Sequence, residues 1–371
     1  MAKKNILLLY ITEISGHHSA SLAIEKSLKL CGADINILNL NAFHYTNPIS
    51  EKVVNRIYTT IIKRTPKIWD YVYDNLKVKK SIDRLKDAVH KLNSPKLKKL
   101  FDQFKPDVVV CTQAYPCGMV AEFKKTYRSD IPLVGVLTDY VPHSYWLSDP
   151  VDYYVCPSEE IGRRLVKKGV PEQKIRPLGI PFDPGFNAAV DKSAILKNLG
   201  LSASSRIVLI MGGGQGLGPI KTIVNSLDKV KADFQEIIIT GTNRKLYKSL
   251  KKKLQKHKKK ICLFGYVNNV NELMSVSDLI ITKPGGITTS EALSKKLPML
   301  IIKPIPGQEA NNSKYLTEQK AAVKIDRPKE INLAVEDLLT NPEKLKGMSE
   351  SCGRISKPSA GYDIARFILS L

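Results

Sequence analysis

Short apolar runs alternate with helix-spaced segments along most of this chain, and that alternation restricts the fold more than any other feature. "KNILLLYIT", "ADINILNL", "DVVVCTQ", "PLVGVLTD" and "DYYVCP" occupy the first half. "RIVLIMGGG", "EIIITG", "KKICLFGYV", "LIITKPGG" and "PMLIIKPIPG" occupy the second. Strand, helix and strand in succession build parallel sheets from right-handed βαβ units. Between the two series, "RPLGIPFDPGF" sets Pro177, Pro181 and Pro184 where no regular element can continue. A chain of 371 residues is long enough for two domains with separate cores. The expectation is an α/β fold of two doubly wound domains joined by a proline-rich hinge, with an interdomain cleft onto which the carboxyl ends of both sets of strands open.

Two of the strand ends carry glycine where a ligand would lie. "ITKPGGITTSEAL" runs from a strand through Gly285 and Gly286 into a helix containing Thr288, Thr289, Ser290 and Glu291. Such a turn allows close backbone approach, and the new helix offers unpaired N–H groups and the positive end of its dipole, which suits a diphosphate. Glu291 is then placed to accept hydrogen bonds from a sugar diol. The competing reading of the same residues is a capping box, with a threonine as N-cap and Glu291 as its partner. "LIMGGGQGLG" tips the balance, because one strand-end turn needs only one or two glycines and this one has Gly212, Gly213, Gly214 and Gly216. Its three consecutive glycines and the missing acidic residue at the next strand end disfavour dinucleotide binding, and no G-x-x-x-x-G-K-[ST] pattern occurs.

The first strand ends in "YITEISGHHSAS", which puts Gly16, His17 and His18 before a helix. A histidine there can act as general base near neutral pH or contact a phosphate; a helix cap or a plain solvent-facing loop is the alternative. Metal ligation is disfavoured, since adjacent side chains diverge and no acidic or thiol partners stand nearby. The six cysteines lack close pairs or histidine partners and read as buried free thiols in a reducing compartment.

"ISGHHSAS", "TDY" at 138–140, "LGIPFDPGF", "IMGGGQG", "GYVNNVNELMSVSDLIITKPGGITTSEAL" and "KPIPGQEANN" together resemble the glycosyltransferases that make monogalactosyl- and glucosyl-diacylglycerol, relatives of the enzyme that adds N-acetylglucosamine to lipid I. The resemblance covers nearly the whole chain. It implies a GT-B fold of two Rossmann-like domains: an acceptor and membrane-facing domain over 1–180, a nucleotide-sugar domain over 181–345, and a terminal helix within 346–371 that crosses back. It implies a UDP-glucose or UDP-galactose donor, a diacylglycerol acceptor and no cofactor. Carried over by position, Gly286, Thr288 and Thr289 would hold the diphosphate and Glu291 the ribose. Backbone groups near Tyr266 and Val267 would meet the uracil, Gly213 and Gly214 would close over the donor, and Gln308 and Glu309 would hold the hexose. His17 is the candidate base, and Asp139 would orient it or bind the acceptor hydroxyl.

Such a reaction builds charge on the departing β-phosphate, which a helix dipole and N–H donors can stabilise. No D-x-D element ends a strand where a catalytic divalent ion would sit, in keeping with metal-independent chemistry. One displacement inverts the anomeric centre. The net charge of +23, from 58 Lys and Arg against 35 Asp and Glu, calls for an anionic partner. Residues 53–100 mix Tyr58, Ile61, Ile62, Trp69, Tyr71 and Tyr73 with Lys63, Arg64, Lys67, Lys77, Lys79 and Lys80, a composition that suits a segment lying in an anionic membrane surface, the alternative being a helical insert whose Trp and Tyr fill the core. No run is apolar enough for a span, and a cytoplasmic, peripherally membrane-associated protein is expected. Two rivals predict otherwise. A soluble UDP-N-acetylglucosamine 2-epimerase would need no aromatic and basic insert, and a nucleic-acid-binding protein would leave the glycine loops without purpose and shows no recognition motif.

Overall fold

The computed structural model describes residues 3–13, 15–32, 34–46, 95–142, 146–147, 150–254, 257, 259–302, 304 and 307–371. The aromatic and basic stretch from Tyr58 to Lys80 lies outside the described residues. The chain forms two compact units: Met1–Pro184 with Ile305–Gln308 and Ser359–Leu371, and Gly185–Pro304 with Glu309–Pro358.

The first unit holds one parallel sheet of six strands: β1 Lys4–Tyr10, β2 Ile35–Asn41, β3 Val108–Cys111, β4 Leu133–Val136, β5 Tyr153–Val155 and β6 Ile175–Arg176. Their spatial order is β2-β1-β3-β4-β5-β6. The chain therefore steps outward from β1 to β2, then returns past β1 to place β3 on its other side. That reversal opens a crevice between the carboxyl ends of β1 and β3. Ile6, Leu8, Val108, Val110, Val134 and Val136 bury one face of the sheet against Ile24 and Leu28 of helix α1 (Gly16–Leu30). Helix α2, Ala114–Tyr127, follows β3.

The second unit repeats the plan with β7 Arg206–Met211, β8 Phe234–Ile239, β9 Ile261–Phe264, β10 Leu279–Thr282, β11 Met299–Ile302 and β12 Ala322–Ile325, all parallel, in the order β12-β11-β10-β7-β8-β9. Here the direction reverses between β7 and β10, the two strands that end in the glycine turns. Their runs of Val, Leu and Ile fill a core with Ile220, Ile223, Val224 and Leu227 of the helix after β7. Helices α3 (Gly286–Ser294) and α4 (Gln308–Glu318) follow β10 and β11.

The last helix, α5 (Ala360–Ser370), belongs to the first unit, where Ile364, Ala365 and Ile368 join the core beside α1. The strands expected from apolar runs are present. Two more were not expected: β6 is only two residues long, and β12 carries the exposed Lys324 at the sheet edge.

Candidate active site

At the reversal point of the first sheet, Ser15 caps α1 by accepting the His18 N–H at 3.2 Å, and this aims the first turn at the crevice. The two adjacent histidines then part. His18 stacks on Tyr10, with centroids 4.2 Å apart, and its Nδ1 lies 2.5 Å from Glu13 O. His17 instead reaches across to β3 and β4: its Nδ1 is 2.9 Å from Thr112 O and 2.9 Å from Thr138 Oγ1. Thr112 Oγ1 donates back to His17 O at 2.8 Å. Thr112 O can only accept, so Nδ1 carries the ring proton and Nε2 keeps the lone pair a general base needs. Burial pulls the His17 pKa below its ordinary value, while the Asp139 charge and the bond to Thr112 act upward. Asp139, half-buried after Thr138, thus bears on this ring by charge.

In the second unit the glycines sort into two kinds. A Cβ on Gly216 would lie 1.9 Å from Thr240 O, and one on Gly241 would lie 2.2 Å from Gly214 O, so both positions exclude a side chain. The turn after β8 is pressed against the turn after β7 and held there by Thr242 N–H donating to Gly214 O at 2.9 Å. Nothing lies within 4 Å of a Cβ at Gly213 or Gly214, the crest of the loop.

Beside it, α3 begins at Gly285 with no side-chain cap. The first backbone bond of the helix runs from Thr289 N–H to Gly285 O at 3.0 Å, which leaves the N–H groups of Gly286, Ile287 and Thr288 ahead of the helical ladder. The capping-box reading is thereby excluded. Thr289 is fully buried, and its hydroxyl is directed at Gly285 O (2.9 Å) and Gly286 O (3.1 Å), while Ser290 Oγ donates to Gly286 O at 2.8 Å. Thr288 and Glu291, three apart and so on one helix face, are half-buried.

Tyr266 and Val267 follow β9, and Tyr266 is 64% exposed, an aromatic face without cover on its unit. Gln308 opens α4. Glu309 in the same turn pairs with Lys283 at 2.7 Å, and Asn312, fully buried, donates to Pro284 O at 3.0 Å. The sequence reading missed Lys283, Asn312, Thr112 and Thr138. Lys283 lies within "ITKPGG", but its partner Glu309 is distant in the chain and nothing local marks the lysine; the two threonines follow strand ends as many threonines do. Among the described residues no group of three His, Cys, Asp or Glu could hold a metal ion, and no helix is long and apolar enough to cross a membrane.

Two doubly wound parallel sheets, each with its polar apparatus at the reversal of strand order, define the GT-B class of glycosyltransferase fold. The comparisons with known proteins agree. The model of monogalactosyldiacylglycerol (MGDG) synthase matches residues 17–182, and that of the glycosyltransferase family 28 C-terminal domain matches 207–362. The processive diacylglycerol beta-glucosyltransferase of Bacillus cereus (strain ATCC 10987 / NRS 248) is 31% identical over 369 residues, 98% of this chain and 93% of that protein. Among solved structures, Acinetobacter baumannii MurG superposes with a TM-score of 0.66 at 14% identity, covering 99% of this chain and 100% of that one. Anabaena Alr3699/HepE in complex with UDP-glucose gives 0.58 at 13% identity, with the same coverage. The chain belongs to the family of diacylglycerol glycosyltransferases that contains the monogalactosyldiacylglycerol synthases and the processive diacylglycerol β-glucosyltransferases, and it is an enzyme of glycosyl transfer.

Proposed function

We propose that this enzyme moves a hexose from a UDP-sugar to the free hydroxyl of a diacylglycerol, with inversion, to give a β-glycolipid. The observation that carries the reading is the uncapped amino end of α3 next to the open crest at Gly213 and Gly214, both at the reversal of strand order. The N–H groups of Gly286, Ile287 and Thr288 provide fixed donors where the departing diphosphate gathers charge, and fixed donors need no reorganisation as charge develops. Thr288 can add its hydroxyl. Thr289, turned inward, acts through the helix it stabilises. Glu291, on the same helix face as Thr288, takes the ribose diol; Tyr266 and Val267 take the base; Gln308 and Glu309 take the hexose hydroxyls.

In the first unit His17 Nε2 removes the proton from the lipid hydroxyl as its oxygen attacks the anomeric carbon. The C–O bond to the new glycoside forms as the bond to the β-phosphate oxygen breaks, and UDP leaves with the electron pair. Thr112 and Thr138 hold the ring in the tautomer this requires, and Asp139 stabilises the imidazolium that results. Because the charge on the diphosphate is met by backbone donors, turnover in excess EDTA is expected to equal turnover without it.

The acceptor resides in a bilayer, and the mixture of aromatic and basic side chains between Tyr58 and Lys80 supports docking of the enzyme on an anionic membrane surface. The decisive assay incubates the protein with labelled UDP-glucose or UDP-galactose and diacylglycerol vesicles, followed by chromatography of the lipids. Label in a glycosyl-diacylglycerol with one of the two donors supports the reading. No lipid product with either, from protein that binds UDP in calorimetry, would sink the acceptor assignment; no UDP binding would sink the donor site.

A further inference from the structure

We infer that Lys283 is a positioning residue for the transferred hexose, acting by fixing the carboxylate of Glu309. The inference rests on the donor-site reading above, and goes beyond it by naming what sets the sugar-facing group in place.

Three segments of the second unit meet at this lysine. It is the first residue after β10 and stands two before the helix cap Gly285. Its stem passes the end of the glycine loop, where Cγ lies 4.0 Å from the Cβ position of Gly218. Its ammonium ends 2.7 Å from Glu309 Oε1, in the first turn of α4. Only 16% of the Lys283 side chain and 17% of that of Glu309 reach solvent, so the pair is well removed from water. A carboxylate in that setting needs a charged partner, and a partner on one oxygen also stops rotation of a side chain with three free torsions.

The fixing is separate from the placement of α4 itself. One turn along the helix, the buried Asn312 amide already ties α4 to the turn before α3 through Pro284 O. Asn312 sets where the helix lies, and Lys283 sets where the Glu309 carboxylate points. A glutamate that must distinguish hexose hydroxyls by geometry gains little from being nearby unless its oxygens are held. The lysine also bridges the part of the site proposed to cover the diphosphate, through the glycine loop, and the part proposed to hold the sugar.

The readout is the ratio of the dissociation constants of UDP-hexose and UDP, measured by calorimetry without acceptor, using whichever of UDP-glucose and UDP-galactose the wild-type protein binds more tightly. Lys283→Met, close in shape and uncharged, is expected to leave UDP affinity within about twofold and to weaken UDP-hexose by about tenfold, the scale of one charge-assisted hydrogen bond. Lys283→Arg keeps a cation and should hold the ratio within about threefold. Glu309→Gln should shift the ratio in the same direction as Lys283→Met, and the double variant should be no worse than the worse single one. If Lys283→Met loses UDP and UDP-hexose equally, the ammonium serves the diphosphate or the fold, and the inference is overturned. An unchanged ratio overturns it too. Should Lys283→Met fail to fold, Glu309→Gln and Lys283→Arg still decide: a Glu309→Gln protein with the wild-type ratio, or a Lys283→Arg protein that loses UDP and UDP-hexose equally, overturns the inference. Wild-type protein that binds no UDP would refute the donor site as a whole, an outcome distinct from any change of ratio.

Discussion

The packing of the turn after β8 against the glycine loop after β7 makes opposite demands on two alanine substitutions. At Gly241, with φ of +55°, the added Cβ would stand 2.2 Å from Gly214 O, more than 1 Å inside ordinary contact. The two turns must separate, which breaks the 2.9 Å bond from Thr242 N–H to Gly214 O. Losing that bond and stranding its partners costs about 1–3 kcal/mol, and a left-handed alanine adds about 1–2. Gly241→Ala should therefore destabilise the protein by about 2–5 kcal/mol. At Gly214 nothing lies within 4 Å of the new Cβ and φ is not positive, so Gly214→Ala should leave stability unchanged or raise it by up to about 1 kcal/mol through the unfolded chain. Yet if the donor diphosphate lies against that crest, a methyl group there holds it off by roughly half an ångström or more. One or two hydrogen bonds to a charged group are lost, about 1.5–3 kcal/mol, or roughly ten- to hundredfold in UDP affinity. Urea unfolding and UDP titration of both variants form the assay. A Gly214→Ala protein as stable as wild type that also binds UDP as wild type does would refute the claim that the crest meets the donor.

Other perturbations test other parts. Replacing His17 with Gln removes the base while keeping a donor for Thr112 O, and kcat should fall by about 10²–10⁴ with donor KM little changed. Since burial lowers the His17 pKa, the acid limb of the pH–rate profile should lie below the ordinary value of about 6.5, and Asp139→Asn should move it further down by removing the charge that acts upward. Thr289→Val should leave UDP affinity within about twofold, because its hydroxyl is directed at helix carbonyls; a large loss would mean that the hydroxyl turns to the diphosphate. Glu236, fully buried on β8 with neither carboxyl oxygen hydrogen-bonded, has its pKa pushed up to about 8 by burial. The folded state then holds a proton that the unfolded chain releases near 4.5, so stability should fall as pH rises between those values, by up to about 5 kcal/mol. Glu236→Gln should flatten that slope in urea melts at pH 5.5 and 8.5.

The strands of both sheets were legible because buried parallel strands are nearly all apolar, as in Ile6–Leu9 and Ile280–Ile281. β12 was not, because an edge strand needs only one covered face, and Lys324 and Val323 between the buried Ala322 and Ile325 make its pattern indistinct. β6 has two residues, too few for any periodicity. Which side of β1 each later strand joins depends on the paths of the helices between them, and this is not written in local composition. The reversal points, which concentrate the chemistry, could therefore be expected as a rule of the fold but not assigned to β1–β3 and β7–β10 until the order was known.

The site itself divides by the kind of group it uses. A diphosphate is gripped by backbone, and backbone can come close only where side chains are missing, so that function leaves a mark in glycine that survives translation into letters. Even there the letters overstate the case: four glycines in "GGGQG" look alike, but Gly216 serves the packing of two turns while Gly213 and Gly214 stay open. The base and the sugar contacts depend on single side chains of common types. Thr112 and Thr138 matter because two strand ends, 26 residues apart in the chain, converge on one imidazole nitrogen, and Lys283 matters because the chain returns 26 residues later to put Glu309 beside it. Neither convergence has a local signature. If the acceptor side is built this way throughout, then exchanging its lipid specificity will require changes at positions that look unremarkable in sequence, and transplanting the glycine motifs between relatives will move nucleotide affinity without moving acceptor choice. A chimera that keeps residues 207–302 of this chain but takes on the acceptor of the other parent would bear that out; one that retains this chain's acceptor would show that the donor unit carries acceptor selectivity after all.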